Sequence, residues 1–345
     1  MYRHPIGFAV HAHPGVAVQD ASLEVHIGTL EGQQHHGESV FPMIVTCGTA
    51  DATLEQVVHW ARENASEMVR QAAQHGTVLF RGFPLVTAQD FDAFVVAFGL
   101  PGFTYEESLS NAVRVNHTPR VFSANEAPPT ANINLHHEMA QTPIHPSKLF
   151  FFCQTASPVG GATSICRSDV LWERLLKECP DFAEACRTRG LKYTNTMPAQ
   201  ADAESGQGRS WASTFSATTR AEAEVRMAEL GYTWEWQADG SVRVTSPALP
   251  AVRDLPDGRS SFFNQLIAAL TGWDDAKGDP SRVLRFGDDS PLDLDGAFKA
   301  AEIADAIRFD VPWQSGDVAF IDNHVTMHGR RTFEGRRKVM AAFVA

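Results

Sequence analysis

Apolar residues recur at helical spacing near the start of the chain. Within residues 54–74 they fall mostly three or four positions apart, and they include Leu54, Val57, Val58, Ala61 and Met68. Thr53, followed three residues later by Gln56, predicts a capping box at the first turn, and Gly76 marks the end. We therefore expect a helix over residues 54–74, and a similar pattern predicts a second helix over residues 88–98.

Runs of β-branched and aromatic residues predict strands further along. The first lies at residues 77–80, and the next two, at 148–153 and 162–166, are separated by a turn-prone sequence at 158–161 with one proline and two glycines. This arrangement is typical of a hairpin, which would pair the two later strands. Ser168 and Asp169 then predict the cap of a helix over residues 170–177.

Two more strands are predicted in the C-terminal part, at residues 317–321 and 338–343, on either side of a loop. Before them lies a long segment, residues 177–290, with turn-prone stretches at 199–208, 255–259 and 276–281. Such stretches are typical of surface loops rather than of linkers between independent domains. We therefore expect a single domain over residues 1–345, with residues 177–290 as an insertion or lid within it.

Composition and charge narrow the class of protein. The 345 residues are 43% hydrophobic, which is enough for a large core, and the net charge of −12 argues against a nucleic-acid binder. No apolar stretch reaches the roughly 18–20 residues that span a bilayer, and residues 1–15 lack the apolar core of a signal peptide. Five cysteines without a Cys-x-x-Cys pair indicate reduced thiols. A cytoplasmic protein without a membrane or nucleic-acid partner is expected.

Histidine is the most informative residue type, with 14 in the chain. His136 and Glu138 are two residues apart, so on an extended chain their side chains point to the same side. An imidazole and a carboxylate are two of the three ligands of a 2-His-1-carboxylate site, which leaves positions on iron(II) open. On its own this pair also fits an exposed polar strand end, because so many histidines produce such a pair by chance.

A second segment, residues 316–329, places His324 and His328 just after a predicted strand. Four arginines follow closely, namely Arg330, Arg331, Arg336 and Arg337. Arginine binds a carboxylate through two parallel hydrogen bonds and stays charged, so these residues fit an anion site beside a metal. The alternative is a solvated charged loop, which is the commoner fate of such a run.

In this order, the segments resemble the taurine dioxygenase-like superfamily of iron(II)- and 2-oxoglutarate-dependent oxygenases. The resemblance runs from residue 76 to residue 343 and is most specific at residues 135–139, 160–163, 322–328 and 336–340. Residues 138–143, 262–265 and 327–331 look most like the SyrP-like branch, which is associated with amino-acid hydroxylation in peptide natural-product pathways. The implied fold is mainly β with α: a double-stranded β-helix (jelly roll, clavaminate synthase-like) with flanking helices and a long insertion.

The resemblance also implies a cofactor, cosubstrates and their ligands. Iron(II) is the implied cofactor, and 2-oxoglutarate and O2 are the implied cosubstrates. The matching metal ligands are His136, Glu138 and His328. The family acid is often Asp, so the longer arm of Glu138 puts the geometry in question but not the class. Thr163 and Arg337 match the residues that bind the tail carboxylate of 2-oxoglutarate, with Arg336 as a one-residue alternative.

Substrate-binding residues are suggested less specifically, and the candidates are His137, Asn264, Gln265 and Arg331. Polar residues of a covering loop would look no different, and His137 fits a supporting role behind the metal ligands equally well. His324, four residues before His328, has a weak claim to be a ligand. Because one arginine suffices for 2-oxoglutarate, Arg331 is a candidate to pair with a carboxylate on the substrate, and an equal alternative is that it faces solvent or braces the loop. A small acid or amino acid, free or on an aminoacyl carrier protein, or a sulfonate would fit, and a homo-oligomer is left open.

Rival functions fit less well. In a zinc hydrolase of the His-Glu-x-x-His type, Gln141 would stand where the second histidine ligand is required. A halogenase of the same superfamily is disfavoured by Glu138, because such enzymes have a small residue at that position. A non-catalytic metabolite-binding protein would be expected to have lost at least one of the implied ligands. The sequence therefore predicts an oxygenase.

Overall fold

A computed structural model describes residues 23–345, apart from residues 126, 203, 204 and 206 and the side chain of Asp274. Residues 1–15, where no signal peptide is predicted, lie outside the described residues. The α-helices of the described part are α1 (Leu54–His75), α2 (Ala88–Ala97), α3 (Ser168–Glu178), α4 (Pro180–Arg189), α5 (Trp211–Thr214), α6 (Arg220–Glu229), α7 (Leu266–Gly272) and α8 (Leu294–Ala306). None of these described helices combines the length and apolar character that a membrane span requires.

The described strands are short and numerous. In chain order they are β1 (Val25–Gly28), β2 (Gln34–His36), β3 (Ser39–Phe41), β4 (Met43–Cys47), β5 (Thr77–Arg81), β6 (Gly102–Phe103), β7 (Phe122–Ser123), β8 (Ile133–His136), β9 (Lys148–Thr155), β10 (Val159–Gly160), β11 (Thr163–Arg167), β12 (Leu191–Met197), β13 (Thr233–Trp236), β14 (Val242–Thr245), β15 (Arg253–Asp254), β16 (Ser260–Ser261), β17 (Leu284–Phe286), β18 (Phe309–Val311), β19 (Val318–Asp322), β20 (Thr326–Arg330), β21 (Phe333–Glu334) and β22 (Lys338–Val344).

Two sheets that share one apolar core form the centre of the fold. The larger has the strand order β1-β4-β5-β19-β9-β22-β6, with β7 also paired to β22, and the smaller has the order β18-β11-β20-β8. Neighbouring strands are antiparallel except β4 and β5. Side chains from both sheets, including Phe151, Ile165 and Ile321, pack in the same cluster. The fold is the predicted double-stranded β-helix.

Helices α1 and α2 cover the other face of the larger sheet. Val57 of α1 and Phe94 of α2 belong to the same buried cluster as Phe320 of β19. The capping box of Thr53 and Gln56 is present, with both of its reciprocal hydrogen bonds. Helix α1 therefore begins at the predicted residue, and it ends one residue beyond the predicted range.

A third sheet, with the order β13-β14-β12-β17, is built from residues 191–286. Nearby, Phe262 and Leu266 pack in one apolar cluster with Leu135 of β8 and Met327 of β20. The region between β11 and β18 therefore lies against the two strands on which metal ligands are predicted. The delimitation of residues 177–290 as an insertion within a single domain stays a prediction.

The predicted hairpin between residues 148 and 166 is wrong. Strand β9 pairs with β19 and β22 in the larger sheet, whereas β11 pairs with β18 and β20 in the smaller one. Residues 149–153 of β9 are all buried, as expected for a central strand with partners on both sides. The connection between the sheets passes through Gly160, which has φ of 67° and where a Cβ would lie 2.4 Å from the carbonyl oxygen of Thr332.

Two local differences from the predictions lie close to the metal-ligand candidates. Helix α3 begins at Ser168 without a side-chain capping bond, because the carboxylate of Asp169 pairs instead with Arg167 and Arg259. The segment between β19 and β22, predicted as a loop, contains β20 and β21. Pairing of β20 with β11 and β8, which are distant in sequence, accounts for this extra strand.

Candidate metal centre

Adjacent strands bring two histidines together. His136 is the last residue of β8, His328 lies in the middle of β20, and the two are directly paired in antiparallel register. Side chains that are directly opposed across two strands project to the same face of the sheet. The centroids of the two imidazole rings are 4.3 Å apart. The local strand pairing is therefore sufficient to aim both rings at one point.

Glu138 reaches this point from a turn. Strand β8 ends at His136, and Met139, with φ of 56°, helps to fold the chain back. The expectation that an extended chain orients both side chains is thus wrong about the backbone, although the two side chains do meet. Asn323 holds the turn, since its Oδ1 accepts from the Glu138 N–H at 2.8 Å and its Nδ2 donates to the Glu138 carbonyl at 3.1 Å.

The ligand atoms of His136, Glu138 and His328 all lie within 4.8 Å of one another. No other group of three or more His, Cys, Asp or Glu side chains converges in this way among the residues that the structure describes. Two imidazoles and one carboxylate form the donor set of a facial triad, which suits iron(II) and leaves coordination positions open. These three residues could hold a metal ion.

The protonation states of the cluster suit metal binding. Burial opposes ionisation of Glu138, but the guanidinium of Arg114 and the ring of His328 outweigh it and lower the pKa of Glu138 to about 2. Burial, and then the neighbouring His328, lower the pKa of His136 to about 4. Nδ1 of His136 donates to the Asn134 carbonyl at 2.8 Å, which leaves its Nε2 lone pair free. At neutral pH the site presents a carboxylate and a neutral imidazole, the forms that bind a metal.

Arg114 is a residue of the site that the sequence analysis missed. Its Nη2 donates to both carboxylate oxygens of Glu138, at 3.1 and 3.2 Å. Its guanidinium carbon lies 5.4 Å from the ring centroid of Phe122 and 5.1 Å from that of Phe343. Arg114 lies in a segment without a regular pattern, 24 residues before Glu138. No spacing rule in the sequence could have connected the two residues.

Arg337 and Thr163 lie together, whereas Arg336 is exposed. Nη2 of Arg337 is 3.4 Å from Oγ1 of Thr163, and its Nε donates to the Gly161 carbonyl at 2.8 Å. Burial, followed by the nearby charge of Arg330, lowers the pKa of Arg337 to about 10. No carboxylate among the described residues forms an ion pair with Arg337. A partly buried cation beside a hydroxyl could bind an incoming carboxylate.

Two of the predicted substrate-binding residues, His137 and Gln265, lie at the turn that bears Glu138, and Asn264 is buried nearby. His137 is fully buried, and its ring nitrogens lie 2.5 Å from the Asn323 carbonyl oxygen and 2.6 Å from the Ser168 hydroxyl. Gln265 donates to the His137 carbonyl at 3.0 Å, and the buried side-chain amide of Asn264 donates to a backbone carbonyl, also at 3.0 Å. The polar groups of these side chains are engaged within the protein.

Arg331 and His324 also have partners elsewhere. Nε of Arg331 lies 3.0 Å from a carboxylate oxygen of Asp310 in an ion pair that is partly exposed. The His324 ring packs against His145 and Phe263, with centroids 5.5 and 5.4 Å away. Neither residue joins the converging metal-ligand atoms. The charge of Arg331 is therefore balanced by Asp310, and Arg331 does not belong to the candidate metal centre.

Comparison with known proteins agrees with this geometry. The sequence profile described as "Taurine catabolism dioxygenase TauD, TfdA family" matches residues 39–343. The chain belongs to this family. TauD/TfdA proteins are iron- and 2-oxoglutarate-dependent dioxygenases, so the protein is an enzyme with Fe(II) as cofactor and 2-oxoglutarate and O2 as cosubstrates. The predicted family, fold and cofactors are confirmed, whereas membership of the SyrP-like branch stays a prediction.

Relatives within and around the TauD/TfdA family cover most of the chain. A clavaminate synthase-like protein of Arabidopsis thaliana is 36% identical over 319 residues, which are 90% of this chain and 95% of that protein. The dapdiamide synthesis protein DdaC of Enterobacter agglomerans is 26% identical over 317 residues, or 87% of this chain and 90% of DdaC. The crystal structure of PvcB from Pseudomonas aeruginosa has a TM-score of 0.55 and 14% identity, covering 96% of this chain and 95% of PvcB. That structural likeness supports the fold.

Proposed function

We propose that this TauD/TfdA-family dioxygenase hydroxylates a small carboxylic acid or amino acid in specialised metabolism. Iron(II) is held by His136, Glu138 and His328, and the tail carboxylate of 2-oxoglutarate by Arg337 and Thr163. The convergence of three ligand atoms within 4.8 Å is the observation that supports this most strongly. A substrate that is free and one attached to an aminoacyl carrier protein both fit, and a sulfonate is the alternative suggested by the family description.

The residues around Glu138 prepare it as a metal ligand. Arg114 favours its anionic form and contacts both carboxylate oxygens, while Asn323 fixes its backbone. Partners behind metal ligands commonly change metal affinity or activity about 10–100-fold when they are removed. Iron(II) in this site supplies, together with 2-oxoglutarate and O2, the oxidising power for the reaction. The protein contributes orientation of the reactants and exclusion of water.

The position of Thr163 suits the length of 2-oxoglutarate. Ile165 on β11 pairs with His328, and Thr163 lies two residues away on the same face, about 7 Å along the strand. A five-carbon diacid can bridge this separation, with one end at the metal and the other at Arg337. The buried setting of Arg337 strengthens its hydrogen bonds to a carboxylate, because little water competes for them.

The names of two similar proteins support a role in specialised metabolism. DdaC is described as a dapdiamide synthesis protein, and PvcB as an Fe, alpha-ketoglutarate dependent oxygenase from an isonitrile synthetic pathway. These descriptions concern compounds outside core metabolism. The proposal therefore names a class of substrate, a small organic acid or amino acid, and leaves the individual compound to direct assay.

Coupled turnover tests the proposal. The protein with Fe(II), 2-oxoglutarate and O2 is offered free amino acids, small carboxylic acids, carrier-bound aminoacyl groups and alkylsulfonates. Succinate is measured, and mass spectrometry detects a product that has gained one oxygen atom. We expect both signals with an amino acid or carboxylic acid, and neither in Glu138→Ala. Stimulation by sulfonates alone would contradict the substrate class, and a product of hydrolysis without succinate would contradict the reaction.

A further inference from the structure

A cavity of about 320 Å³ lies one side chain away from the candidate metal ligand Glu138. Arg114 connects the two, because it lines the cavity and also contacts the carboxylate of Glu138. Tyr105, Asn116, Arg209 and Ser213 contribute further polar groups to the wall. This volume is in the range of pockets that take small molecules. The cavity is thus large enough for a small molecule and is linked to Glu138 through Arg114.

Arg209 places a buried positive charge on the wall of this cavity. Only 3% of the residue is exposed, and its guanidinium carbon lies 4.1 Å from the ring centroid of Tyr105. Its hydrogen bonds go to neutral acceptors, among them the Ser108 carbonyl at 2.7 Å and the Ser213 carbonyl at 2.9 Å. No carboxylate among the described residues forms an ion pair with it. The acid that lines the cavity, Glu106, is exposed.

Arg114 contributes a second positive charge, and its counterion, Glu138, also contacts His328. Its single carboxylate partner among the described residues is Glu138, which also lies 3.4 Å from Nε2 of His328. Nε of Arg114 is buried without a hydrogen-bond partner. A buried donor of this kind is costly unless something binds it. The other guanidinium nitrogens are engaged, Nη1 by the Ala124 carbonyl and Nη2 by Glu138, so Arg114 acts on a ligand in the cavity through its positive charge.

The sum of charges in the site with iron(II) and 2-oxoglutarate bound also favours an anionic ligand. Formal charges on iron(II), Glu138, doubly ionised 2-oxoglutarate and Arg337 cancel. Since Glu138 is already counted against the metal ion in this sum, the two positive charges of Arg114 and Arg209 remain in excess. Burying an excess of positive charge is unfavourable, and an anionic ligand close to both arginines would relieve that cost.

We propose that the cavity binds the substrate through an anionic group, a carboxylate or sulfonate, held between Arg114 and Arg209, with the rest of the molecule directed at the metal centre. This inference rests on the proposed function and names the residues that select the substrate. Arg114 and Arg209 take the role that the sequence suggested for Arg331, whose charge is paired with Asp310.

Ligand pairs that differ only in charge test the proposal without relying on turnover. Protein loaded with Fe(II) and 2-oxoglutarate under anaerobic conditions is titrated with L-leucine and L-leucinamide, with 3-phenylpropionate and 3-phenylpropionamide, and with 2-phenylethanesulfonate. Binding is measured by calorimetry and by the change in the weak visible charge-transfer band that Fe(II) and 2-oxoglutarate should give together in the protein. We expect at least one acid to bind roughly ten- to a hundredfold more tightly than its amide. Titration with 2-phenylethanesulfonate shows whether a sulfonate binds as tightly as a carboxylate.

Variants of Arg209 and Arg114 test whether these residues cause the preference for the acid over its amide. Arg209→Gln, which touches no metal ligand, should remove the preference for the acid, and Arg209→Lys should keep part of it. Arg226→Gln is the matched control, because Arg226 is partly exposed and pairs with Glu229 on α6. Arg114→Gln should also weaken acid binding, with Fe(II) and 2-oxoglutarate binding measured separately because Arg114 contacts Glu138.

Three outcomes would overturn the proposal while leaving the proposed function intact. They are equal binding of acid and amide, full acid preference in Arg209→Gln, and no binding of any of these anions to protein that shows the absorption band. Failure of the proposed function has a different signature, since the band itself would then not form with Fe(II) and 2-oxoglutarate.

Discussion

His136 and His328 lie directly opposite each other on antiparallel strands, with their ring centroids 4.3 Å apart. Together with Glu138 they form the proposed iron site, so His136→Ala, Glu138→Ala and His328→Ala should each abolish substrate-coupled succinate formation. A facial triad that lacks one ligand loses both affinity and geometry. His324→Ala is the matched control and should stay active. Activity in His328→Ala combined with inactivity in His324→Ala would move the ligand to His324.

Removal of the Arg337 side chain should weaken 2-oxoglutarate binding. Charge-assisted hydrogen bonds contribute about 1.5–3 kcal/mol, which corresponds to roughly a ten- to hundredfold rise in the apparent 2-oxoglutarate constant for Arg337→Ala. Arg336→Ala removes the neighbouring exposed charge and should leave that constant near its wild-type value. Steady-state titration with 2-oxoglutarate measures both. An equal or larger effect in Arg336→Ala would transfer the anchoring role to Arg336.

Asn323 should matter for metal affinity as well as for stability. Its side-chain amide accepts from the N–H of Glu138 and donates to the carbonyl of Glu138, and it also donates to the Pro146 carbonyl at 2.8 Å. Asn323→Ala should lower the melting temperature and weaken Fe(II) binding about 10–100-fold, since partners that orient metal ligands have effects of this size. Anaerobic Fe(II) titration of the folded variant measures the second effect.

Asn264→Ala provides the control for Asn323→Ala. Asn264 is equally buried and makes two hydrogen bonds, to the Ala251 carbonyl and from the Leu266 N–H, but neither touches a candidate ligand. It should destabilise the fold by about 1–3 kcal/mol, the cost of leaving buried groups unpaired, without changing the Fe(II) affinity of folded protein. Comparable Fe(II) affinities in the two variants would argue against an orienting role for Asn323.

Asp169 should make the free energy of unfolding depend on pH in the acidic range. Burial opposes ionisation of its carboxyl group, but Arg167 and Arg259, at 2.5 and 2.6 Å, outweigh burial and lower the pKa of Asp169. Because the folded pKa lies below the unfolded value of about 3.9, the stabilisation is present above about pH 4 and is lost as pH falls through the folded pKa. Asp169→Asn should destabilise by about 3–5 kcal/mol at pH 7, because it leaves the buried cation of Arg167 unpaired.

Urea unfolding of wild type and Asp169→Asn at pH 7 and in acid measures this dependence. The difference in unfolding free energy should shrink below about pH 4 as wild-type Asp169 takes up a proton. Asp310→Asn, which breaks the partly exposed pair with Arg331, should cost about 0–1 kcal/mol. A difference for Asp169→Asn that is the same at both pH values would contradict the assignment.

Local signals in the sequence predicted local structure well. The capping box of Thr53 and Gln56 and the apolar spacing after it predicted the start of α1 and its end to within one residue. Strand pairing depends on distant residues, so the hairpin prediction failed: the flanks of β9 are occupied by β19 and β22 from the far end of the chain. The path of Glu138 was missed for the same reason, because its turn is held by Asn323.

Residues near the proposed iron site were predicted unevenly. The family resemblance singled out His136, Glu138, His328, Thr163 and Arg337, and the structure brings them into two groups, one of three residues and one of two. Arg114 and Arg209 had no motif to mark them, because only the folded chain brings them to one cavity. Arg331 was marked by a motif, yet its charge is directed to Asp310. Motifs thus predicted the ligands, whereas tertiary packing decides which charges face the cavity.

The absorption spectrum of anaerobic protein with Fe(II) and 2-oxoglutarate tests the proposed iron site most directly. Wild type should show a weak visible charge-transfer band that saturates with stoichiometric iron, and His324→Ala should show the same band. Glu138→Ala should show none, because the carboxylate that completes the triad with His136 and His328 is gone. A wild-type protein without the band, or an unchanged band in Glu138→Ala, would contradict the assignment of iron to these three residues.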